Sequence, residues 1–419
     1  MRYLYKNAFH QLIKTKVFAN FLNLSTIQVS NTLLLIIIYP IIVRLIGIEA
    51  FGQLMVANAF AGLMGIFVNY GTSQTGTKDI AIQKNNPEGL AGVFYNTLLV
   101  RLLIFIVFLA GFAILGLFHI NNYFFYLATI PLIFAEVINP MFLFFGKESL
   151  SIYNLANIFS KIAIILSILL LFNSPSDASW INFYIGIANV ASYLILILIG
   201  IKRFDLKFHL PRKFQFYNLL KENSYLVGNN ISVHLQQSVM LFILARWGTP
   251  LWLGAYSLCD KIVWSSRIMI MSVAGAVYPK SAQLHQAEPE LWKKFRNKMQ
   301  VALGALFLVL SLVLFTIPGF IIHIISGEAN VTAITFLRIM AFVPTVAALN
   351  ALNTVDLLLK NKILSIFRIA MFLLFFAVIL AFVVVQTNDY RWFGSYTLII
   401  EVCALLIYQY VVKASDLRT

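Results

Sequence analysis

Charged residues are scarce in this 419-residue chain, where Asp, Glu, Lys and Arg together make up 11%. Soluble domains carry about 25%, so a water-soluble fold is excluded. Cysteine is nearly absent as well: Cys259 and Cys403 both lie in apolar runs, and no disulfide framework is indicated. The chain is instead 60% hydrophobic and 15% aromatic, with a mean hydropathy of +0.85. This composition is typical of a protein embedded in lipid.

Signatures of enzymes are missing too. The six histidines show no metal-ligand spacing, and no glycine-rich phosphate loop ending in Gly-Lys-Ser or Gly-Lys-Thr is present. A membrane glycan polymerase or ligase needs a sizeable extramembrane loop, whereas the predicted outward loops are short. We therefore expect no enzymatic activity, no cofactor and no metal site.

Apolar runs of about 20 residues, long enough to cross a bilayer as helices, recur from end to end. They predict an all-α integral membrane protein with twelve transmembrane helices, at 24–45, 51–71, 93–117, 122–146, 153–173, 180–201, 224–246, 251–279, 298–325, 331–358, 363–386 and 392–412. The connections are short except at 72–92, 202–223 and 280–297.

Lysine and arginine are distributed unevenly among the predicted loops. They concentrate in the N-terminal segment, in 202–223, in 280–297 and in other loops on the same side. Such loops face the cytoplasm, so we expect a multi-pass membrane protein with both termini in the cytoplasm. These loops account for most of the net charge of +15, and no nucleic-acid partner is expected.

Two stretches of the chain are similar. Tyr39–Gly52 and Leu241–Tyr256 each end an apolar helix with an arginine, Arg44 or Arg246, followed by a glycine turn and a new helix. Six spans separate the two copies, which indicates a parallel repeat. The predicted organisation is an N-terminal six-helix lobe (1–201), a basic cytoplasmic linker (202–223) and a C-terminal six-helix lobe (224–419).

Ionisable side chains within spans are costly in lipid and usually face protein or a water-filled cavity. Basic groups outnumber acidic ones among them, which favours an anionic cargo. Lys261 and Arg267 lie deepest, six residues apart and about 120° from each other around a helix, and because of their depth we expect them to line a central cavity. The remaining predicted cationic contacts to cargo are Arg44, Arg101, Lys161, Arg246 and Arg338. Snorkelling to the headgroups is the alternative for these five.

Acidic and uncharged polar residues complete the predicted site. Four intramembrane carboxylates are expected to couple transport to an ion or to neutralise a buried cation: Asp260, Glu136, Asp356 and Glu401. Adjacent Asp260 and Lys261 point about 100° apart, so they need not pair. Polar residues at the starts of spans one and seven would line the cavity and bind sugar hydroxyls, or else bond between helices: Gln28, Asn31, Asn230, His234 and Gln237.

The segment VRLIGIEAFGQLMVANAFAGLMGIFVNYG, followed by TKDIA, resembles the N-terminal signature of bacterial O-antigen and capsule repeat-unit flippases. This polysaccharide transporter family belongs to the multidrug/oligosaccharidyl-lipid/polysaccharide flippase superfamily. The matching positions are Arg44, Gly47, Phe51, Gly52, Tyr70, Gly71 and Lys78. The chain departs from the signature at Ile48, where proline is common.

The resemblance implies two lobes in a V around a central cavity lined by spans one, two, seven and eight. It implies export of undecaprenyl-pyrophosphate-linked oligosaccharide by alternating access, from the cytoplasmic to the outer leaflet of the bacterial cytoplasmic (inner) membrane. Coupling to H⁺ or Na⁺ and a polysaccharide polymerase as a partner are also implied. Two alternatives remain open: a multidrug or cation antiporter of the same superfamily, and a flippase for another lipid-linked cell-wall precursor.

Overall fold

The computed structural model describes residues 16–116, 122–172, 174–208, 216–387 and 389–416, with the side chains of 16–36, 115, 175–176, 216–218 and 279 outside the description. These residues are about 90% helical and contain no strand. The first half of the described residues has eight α-helices: α1 (Lys16–Asn69), α2 (Thr72–Ile82), α3 (Pro87–Gly116), α4 (Tyr123–Leu127), α5 (Ile130–Ile138), α6 (Met141–Gly146), α7 (Leu150–Leu171) and α8 (Ile181–Arg203).

The second half also has eight: α9 (Phe216–Trp247), α10 (Pro250–Ala287), α11 (Pro289–Thr316), α12 (Pro318–Ser326), α13 (Val331–Met340), α14 (Val343–Leu359), α15 (Ile363–Gln386) and α16 (Phe393–Asp416). Short 3₁₀ turns precede α8 and α16, at Pro175–Trp180 and Tyr390–Trp392. The prediction of an all-α membrane protein is confirmed. The described part of the chain has nine stretches long and apolar enough to cross a membrane, or ten with the bent α10, so the number twelve stays a prediction.

Helix α1 contains the predicted turn between spans one and two. The stretch Lys16–Asn69 consists of two helices joined at Gly47, whose angles are non-helical, φ 79° and ψ 164°. Positive φ is a conformation that glycine adopts at no steric cost. The break predicted between 45 and 51 is therefore confirmed, as a kink at Gly47.

Three predicted spans are interrupted within their length. Span 122–146 contains α4, α5 and α6, and span 331–358 contains α13 and α14, which are separated at 341–342. Tyr123–Gly146 and Val331–Leu359 nevertheless each form one stretch long and apolar enough to cross a membrane. The predicted end of span 298–325 is wrong, because α11 stops at Thr316 and α12 begins at Pro318. A proline lies at or next to each main break, namely Pro131, Pro140, Pro318 and Pro344. Proline lacks an N–H and clashes with the preceding turn, so a helix restarts there.

Two stretches predicted as connections are largely helical. Helix α2 lies within 72–92, and in 280–297 only Glu288 interrupts the helices α10 and α11. The early turns of α11 are also packed rather than loop-like, because Trp292 and Arg296 are 1% and 7% exposed. The basic residues of this stretch therefore lie on extensions of the membrane helices.

Packing divides the described residues into two compact units. The first comprises those within 1–31, 60–172 and 179–228, and the second those within 32–59, 173–178 and 229–419. Phe94, Phe142 and Tyr153 belong to one core of the first unit. The second has separate cores, one around Leu357 and Leu373 and others nearby along α11 and α14. The predicted lobe boundary at 202–223 stays a prediction, and residues 209–215 of that linker lie outside the description.

The two similar stretches meet within the second unit. A Cβ atom placed on Gly52 would lie 2.6 Å from the backbone nitrogen of Gly254, and one on Gly254 would overlap the carbonyl oxygen of Ile48. Each glycine follows its arginine by eight residues. The glycines of the repeat therefore let two backbones approach more closely than any side chain allows.

Candidate functional site

A cavity of about 400 Å³ lies in the second unit among α9, α10, α14 and α16. Its wall is mainly apolar, with polar groups at intervals. It is lined by Gln237, Trp264, Arg267, Ile270, Met271, Ala274, Ala347, Asn350, Ala351, Thr354, Val355 and Glu401. We call this cavity the apolar chamber. An apolar wall with a few placed polar groups is the usual composition of a small-molecule site.

A smaller, more polar cavity of about 80 Å³ adjoins it. Its lining is Gln236, Gln237, Tyr256, Asp260, Arg267, Tyr396, Thr397, Ile400 and Glu401. We call it the polar chamber. Gln237, Arg267 and Glu401 line both chambers, so these three residues form the boundary between them.

Helix α10 supplies one wall of both chambers through a single stripe. Tyr256, Asp260, Trp264, Arg267 and Met271 follow one another at intervals of three or four residues. That spacing keeps side chains on one face of an α-helix. The position of Arg267 at the cavity thus follows from the helical period.

Arg267 forms an ion pair with Glu401 of α16 at the boundary of the chambers. The two side chains are 16% and 15% exposed, and the guanidinium carbon lies 5.8 Å from the centre of the Trp264 ring. The guanidinium also has a buried Nε without a hydrogen-bond acceptor among the described residues. Arg267 is therefore neutralised by Glu401 but not fully satisfied.

Lys261 and Asp260 form a second ion pair, with 3.6 Å between the lysine Nζ and a carboxylate oxygen. Their directions from the helix axis differ by about 100°, and the flexible lysine stem closes that gap. Lys261 and Arg267 thus each have a carboxylate partner, and Lys261 lines neither of the two chambers. The contact of Lys261 and Arg267 with cargo stays a prediction.

The predicted polar lining is only partly gathered here. Gln237 lines both chambers. The Nε2 of His234 instead lies 2.8 Å from the carbonyl oxygen of Ala59, which is the interhelical bond left open as the alternative. Asn230 is half-buried, and the side chains of Gln28 and Asn31 lie outside the described residues.

Sequence reasoning did not select several polar residues of the chambers: Gln236, Tyr256, Asn350, Thr354, Tyr396 and Thr397. Two of them are tied to each other, since the hydroxyls of Tyr256 and Thr397 are 2.9 Å apart. The helical spacing of the sequence could have indicated two of them, Tyr256 and Thr397. Thr397 precedes Glu401 by four residues and Tyr256 precedes Asp260 by four, so each pair shares a helix face.

Arg101, in the first unit, is completely buried and bound to protein groups. Its Nε donates to Thr72 Oγ1 at 2.7 Å, and its Nη1 donates to the carbonyl oxygens of Glu136 and Asn139, at 3.1 and 2.8 Å. Its Nη2 donates to Ser73 Oγ at 3.2 Å. The two carbonyl acceptors lie where α5 ends at the Asn139–Pro140 break, so Arg101 satisfies carbonyl groups that the broken helix leaves open, and the two hydroxyl acceptors lie at the start of α2.

The other predicted groups of the first unit are Glu136 and Lys161. The Glu136 carboxylate accepts a bond from Asn69 Nδ2 at 3.3 Å. Lys161 is half-buried on α7, on the same face as the buried Asn154 and Asn157. The predicted roles of Glu136 and Lys161 in coupling and cargo contact stay predictions.

The arginines of the repeat lie at helix ends. The Arg44 guanidinium donates to the carbonyl oxygen of Ile324, in the last turn of α12. A cation there satisfies an open carbonyl and complements the helix dipole. Arg246 is exposed, with its guanidinium carbon 5.9 Å from the Trp247 ring centre. Arg338 is exposed on α13.

Asp356 does not face the chambers, although its neighbours Thr354 and Val355 do. It is fully buried, 2.9 Å from Arg296 Nη1 and 2.8 Å from Lys360 Nζ, and it accepts a 2.7 Å hydrogen bond from the Trp292 indole. Asp416 pairs with the same two cations. This network joins α11, α14 and α16.

A family model described as "Polysaccharide biosynthesis protein" matches residues 17–285, nearly two thirds of the chain. The chain belongs to this family. The match includes Arg44, Gly52 and Tyr70 of the signature segment together with Arg267, and it confirms the family resemblance inferred from the sequence.

Two curated relatives of this polysaccharide biosynthesis protein carry the name "Putative O-antigen transporter". The one from Escherichia coli K12 is 23% identical over 354 residues, covering 82% of this chain and 83% of that protein. The one from Shigella dysenteriae is 25% identical over 284 residues, covering 64% and 68%. These relatives are transporters by name rather than enzymes.

Solved structures share the fold of the family member. An inward-facing multidrug resistance MATE transporter of the MOP superfamily superposes with a TM-score of 0.72 at 13% identity, covering 91% of this chain and 95% of that one. A MOP superfamily transporter from Pyrococcus furiosus gives 0.66 at 14%, covering 98% of each. Identities this low establish the fold alone. The chain thus has the fold of these transporters.

Proposed function

We propose that the protein moves undecaprenyl-pyrophosphate-linked oligosaccharide, such as an O-antigen repeat unit, from the inner to the outer leaflet by alternating access. The observation that carries the proposal is the Arg267–Glu401 pair between two chambers, in a family named for polysaccharide biosynthesis. A flippase for this cargo needs a cation for the pyrophosphate and hydrogen-bonding groups for sugars. Arg267, Gln237 and Asn350 supply both.

The physical need for such a site is the solvation of the headgroup. A pyrophosphate and several sugar hydroxyls lose many hydrogen bonds with water on entering hydrocarbon, and each unsatisfied polar group costs several kcal/mol. A guanidinium binds phosphate in a bidentate geometry, and side-chain amides replace water at hydroxyls. The polyprenyl tail, which has no such cost, stays in lipid.

We further propose the bacterial cytoplasmic membrane as the location, with both termini in the cytoplasm. The support is the concentration of lysine and arginine in one set of loops. Alkaline phosphatase fused after residue 416 is expected to be inactive, and green fluorescent protein fused there to be fluorescent. The reverse pattern would contradict this topology.

Coupling to H⁺ or Na⁺ and association with a polysaccharide polymerase are part of the proposal. Of the four intramembrane carboxylates predicted for coupling, Asp260 and Glu401 line the polar chamber. Asp356 is tied to two cations and an indole. Coupling is therefore assigned to Asp260 or Glu401 ahead of Asp356.

A multidrug or cation antiporter is the second candidate, and the charges of the chambers favour it as much as the first. The chamber linings contain two carboxylates, Asp260 and Glu401, and one cation, Arg267, so no positive excess excludes a cationic substrate. Family membership favours the first candidate. A flippase for another lipid-linked cell-wall precursor would use the same site.

A strain lacking the chromosomal gene tests the proposal. Deletion is expected to remove the surface polysaccharide and to accumulate its lipid-linked repeat unit in the membrane, and the wild-type gene to reverse both. Arg267→Gln should lower export about tenfold or more, because a hydrogen bond to a charged group contributes about 1.5–3 kcal/mol. The matched control is Arg391→Gln, an exposed arginine outside the chambers. Normal polysaccharide with new sensitivity to toxic cations would favour the antiporter, and accumulation of a different lipid-linked precursor would favour the third candidate.

A further inference from the structure

We propose that Glu401 occupies the anion-binding face of Arg267 in the empty protein, and that the phosphate of an anionic isoprenoid lipid replaces it. The inference rests on the proposed function for the class of ligand. It assigns Glu401 a role as an internal competitor of cargo. The phosphate approaches through the apolar chamber and binds the Arg267 guanidinium. The Glu401 carboxylate then turns into the polar chamber.

The position of the pair supports this exchange. Arg267 and Glu401 both line each chamber, so either side chain can turn to one side without passing through packed protein. The buried Nε of Arg267 has no acceptor among the described residues, although a bidentate ligand approaching from the side of Nε would supply one. Glu401 leaves this donor unused.

The unlike walls of the chambers give the exchange a direction. The apolar chamber presents Trp264, Ile270 and Met271 next to Arg267, which suits a phosphate attached to a hydrocarbon chain. The polar chamber presents Gln236, Gln237 and Thr397, whose amide and hydroxyl groups can donate to a carboxylate. An anionic amphiphile therefore fits one side of the pair and a displaced carboxylate the other.

The exchange keeps Arg267 paired with an anion, and it leaves the displaced Glu401 carboxylate to be stabilised by the amide and hydroxyl donors of the polar chamber. Arg267 is neutralised by the Glu401 carboxylate before the exchange and by two phosphate oxygens after the exchange. The guanidinium is therefore never left as an uncompensated buried cation, which is the costly state. Asp260 carries its own partner, Lys261, and does not need to move. The affinity of the site for phosphate is then set by how strongly Glu401 competes.

Farnesyl pyrophosphate is a suitable probe, because it has the phosphate and isoprenoid chemistry in a short, measurable molecule. Its binding to the purified full-length protein is measured by titration calorimetry, with farnesol and a short-chain phosphatidylglycerol as comparisons. We expect Glu401→Gln to bind it about tenfold more tightly than wild type, a change of about 1.4 kcal/mol. Arg267→Gln should lose binding, and farnesol should bind all variants alike.

Two more variants keep the test decisive. Glu401→Asp retains the charge, and its affinity for the probe is expected to stay near that of wild type. This comparison separates the effect of removing the charge from the effect of changing the side chain at this position. Asp260→Asn makes the same charge change in the same chamber without touching Arg267, and is expected to tighten binding less than Glu401→Gln does. Unchanged or weaker binding by Glu401→Gln, or equal tightening by Asp260→Asn, overturns the exchange.

The outcome is separable from that of the proposed function. If the protein moves lipid-linked oligosaccharide but the two Glu401 variants bind the probe alike, the exchange is wrong and the function stands. If Glu401→Gln tightens binding but deletion of the gene leaves the polysaccharide unchanged, the site binds anionic isoprenoids and the proposed cargo is wrong. Equal affinity for phosphatidylglycerol would overturn the assignment to isoprenoid phosphates.

Discussion

Gly52 and Gly254 meet backbone to backbone in the second unit, at equivalent positions of the two similar stretches. The space between them is too small for a methyl group. The two glycines of the duplicated stretches thus form a packing contact between the kinked helix α1 and the start of α10. The repeat arginines Arg44 and Arg246, by contrast, lie at helix ends.

The first prediction concerns this contact. Gly254→Ala should destabilise the protein by about 1–3 kcal/mol, because its Cβ would overlap the carbonyl of Ile48 and overpacking costs that much. Gly275→Ala, on the same helix with nothing within 4 Å of the added atom, should be neutral or slightly stabilising. The measurement is the unfolding temperature of the detergent-purified variants. Equal unfolding temperatures would mean that the backbones separate easily.

Arg101 is predicted to stabilise the fold of the first unit. Arg101→Met should lower the unfolding temperature and the amount of protein in the membrane, because four acceptors would lose their donor. Each bond to a charged group is worth about 1.5–3 kcal/mol. The matched control is Arg368→Met, an exposed arginine of α15. If Arg101→Met protein is stable and present in normal amount but does not support export, Arg101 contacts cargo and its role is not structural.

The network around Asp356 gives a third prediction. Asp356→Asn should cost about 3–5 kcal/mol, since it leaves Arg296 and Lys360 with less negative charge in a buried place. Glu290→Gln removes an exposed partner of Lys293, with the glutamate side chain 79% exposed, and should cost about 0–1 kcal/mol. Urea unfolding followed by tryptophan fluorescence compares the two, with Trp292 as a local reporter. Similar midpoints would show that Asp356 is not structurally important.

Much of the fold was predictable because its signals are local. Apolar runs indicated the helices, and Gly47 indicated the kink of α1, since each depends only on neighbouring residues. Breaks inside α4–α6 and α13–α14 were missed although Pro131, Pro140 and Pro344 mark them. Proline is tolerated in many membrane helices, so its presence alone does not separate a kink from a break.

The site was predictable in part. Helical periodicity and depth selected Arg267 and Glu401, but nothing in one sequence says that α10 and α16 are neighbours, so their pairing was only one of the alternatives. Arg101 shows the converse. Its depth in α3 suggested contact with cargo, whereas the acceptors that hold it, Thr72 and Asn139, lie about 30 to 40 residues away in the chain. Which cations are satisfied by the protein is a property of tertiary packing.

Export of lipid-linked oligosaccharide is measured in proteoliposomes that contain only the purified protein. Lipid-linked oligosaccharide is placed in both leaflets, and an impermeant glycosidase added outside cleaves the sugars that it reaches. We expect cleavage to proceed beyond the outer-leaflet half with wild-type protein and with Arg391→Gln. With Arg267→Gln the inner-leaflet half should be cleaved at least about tenfold more slowly, and in protein-free liposomes cleavage should stop near one half. If cleavage stops at one half with folded wild-type protein, both with and without a proton or sodium gradient, the protein does not move this cargo.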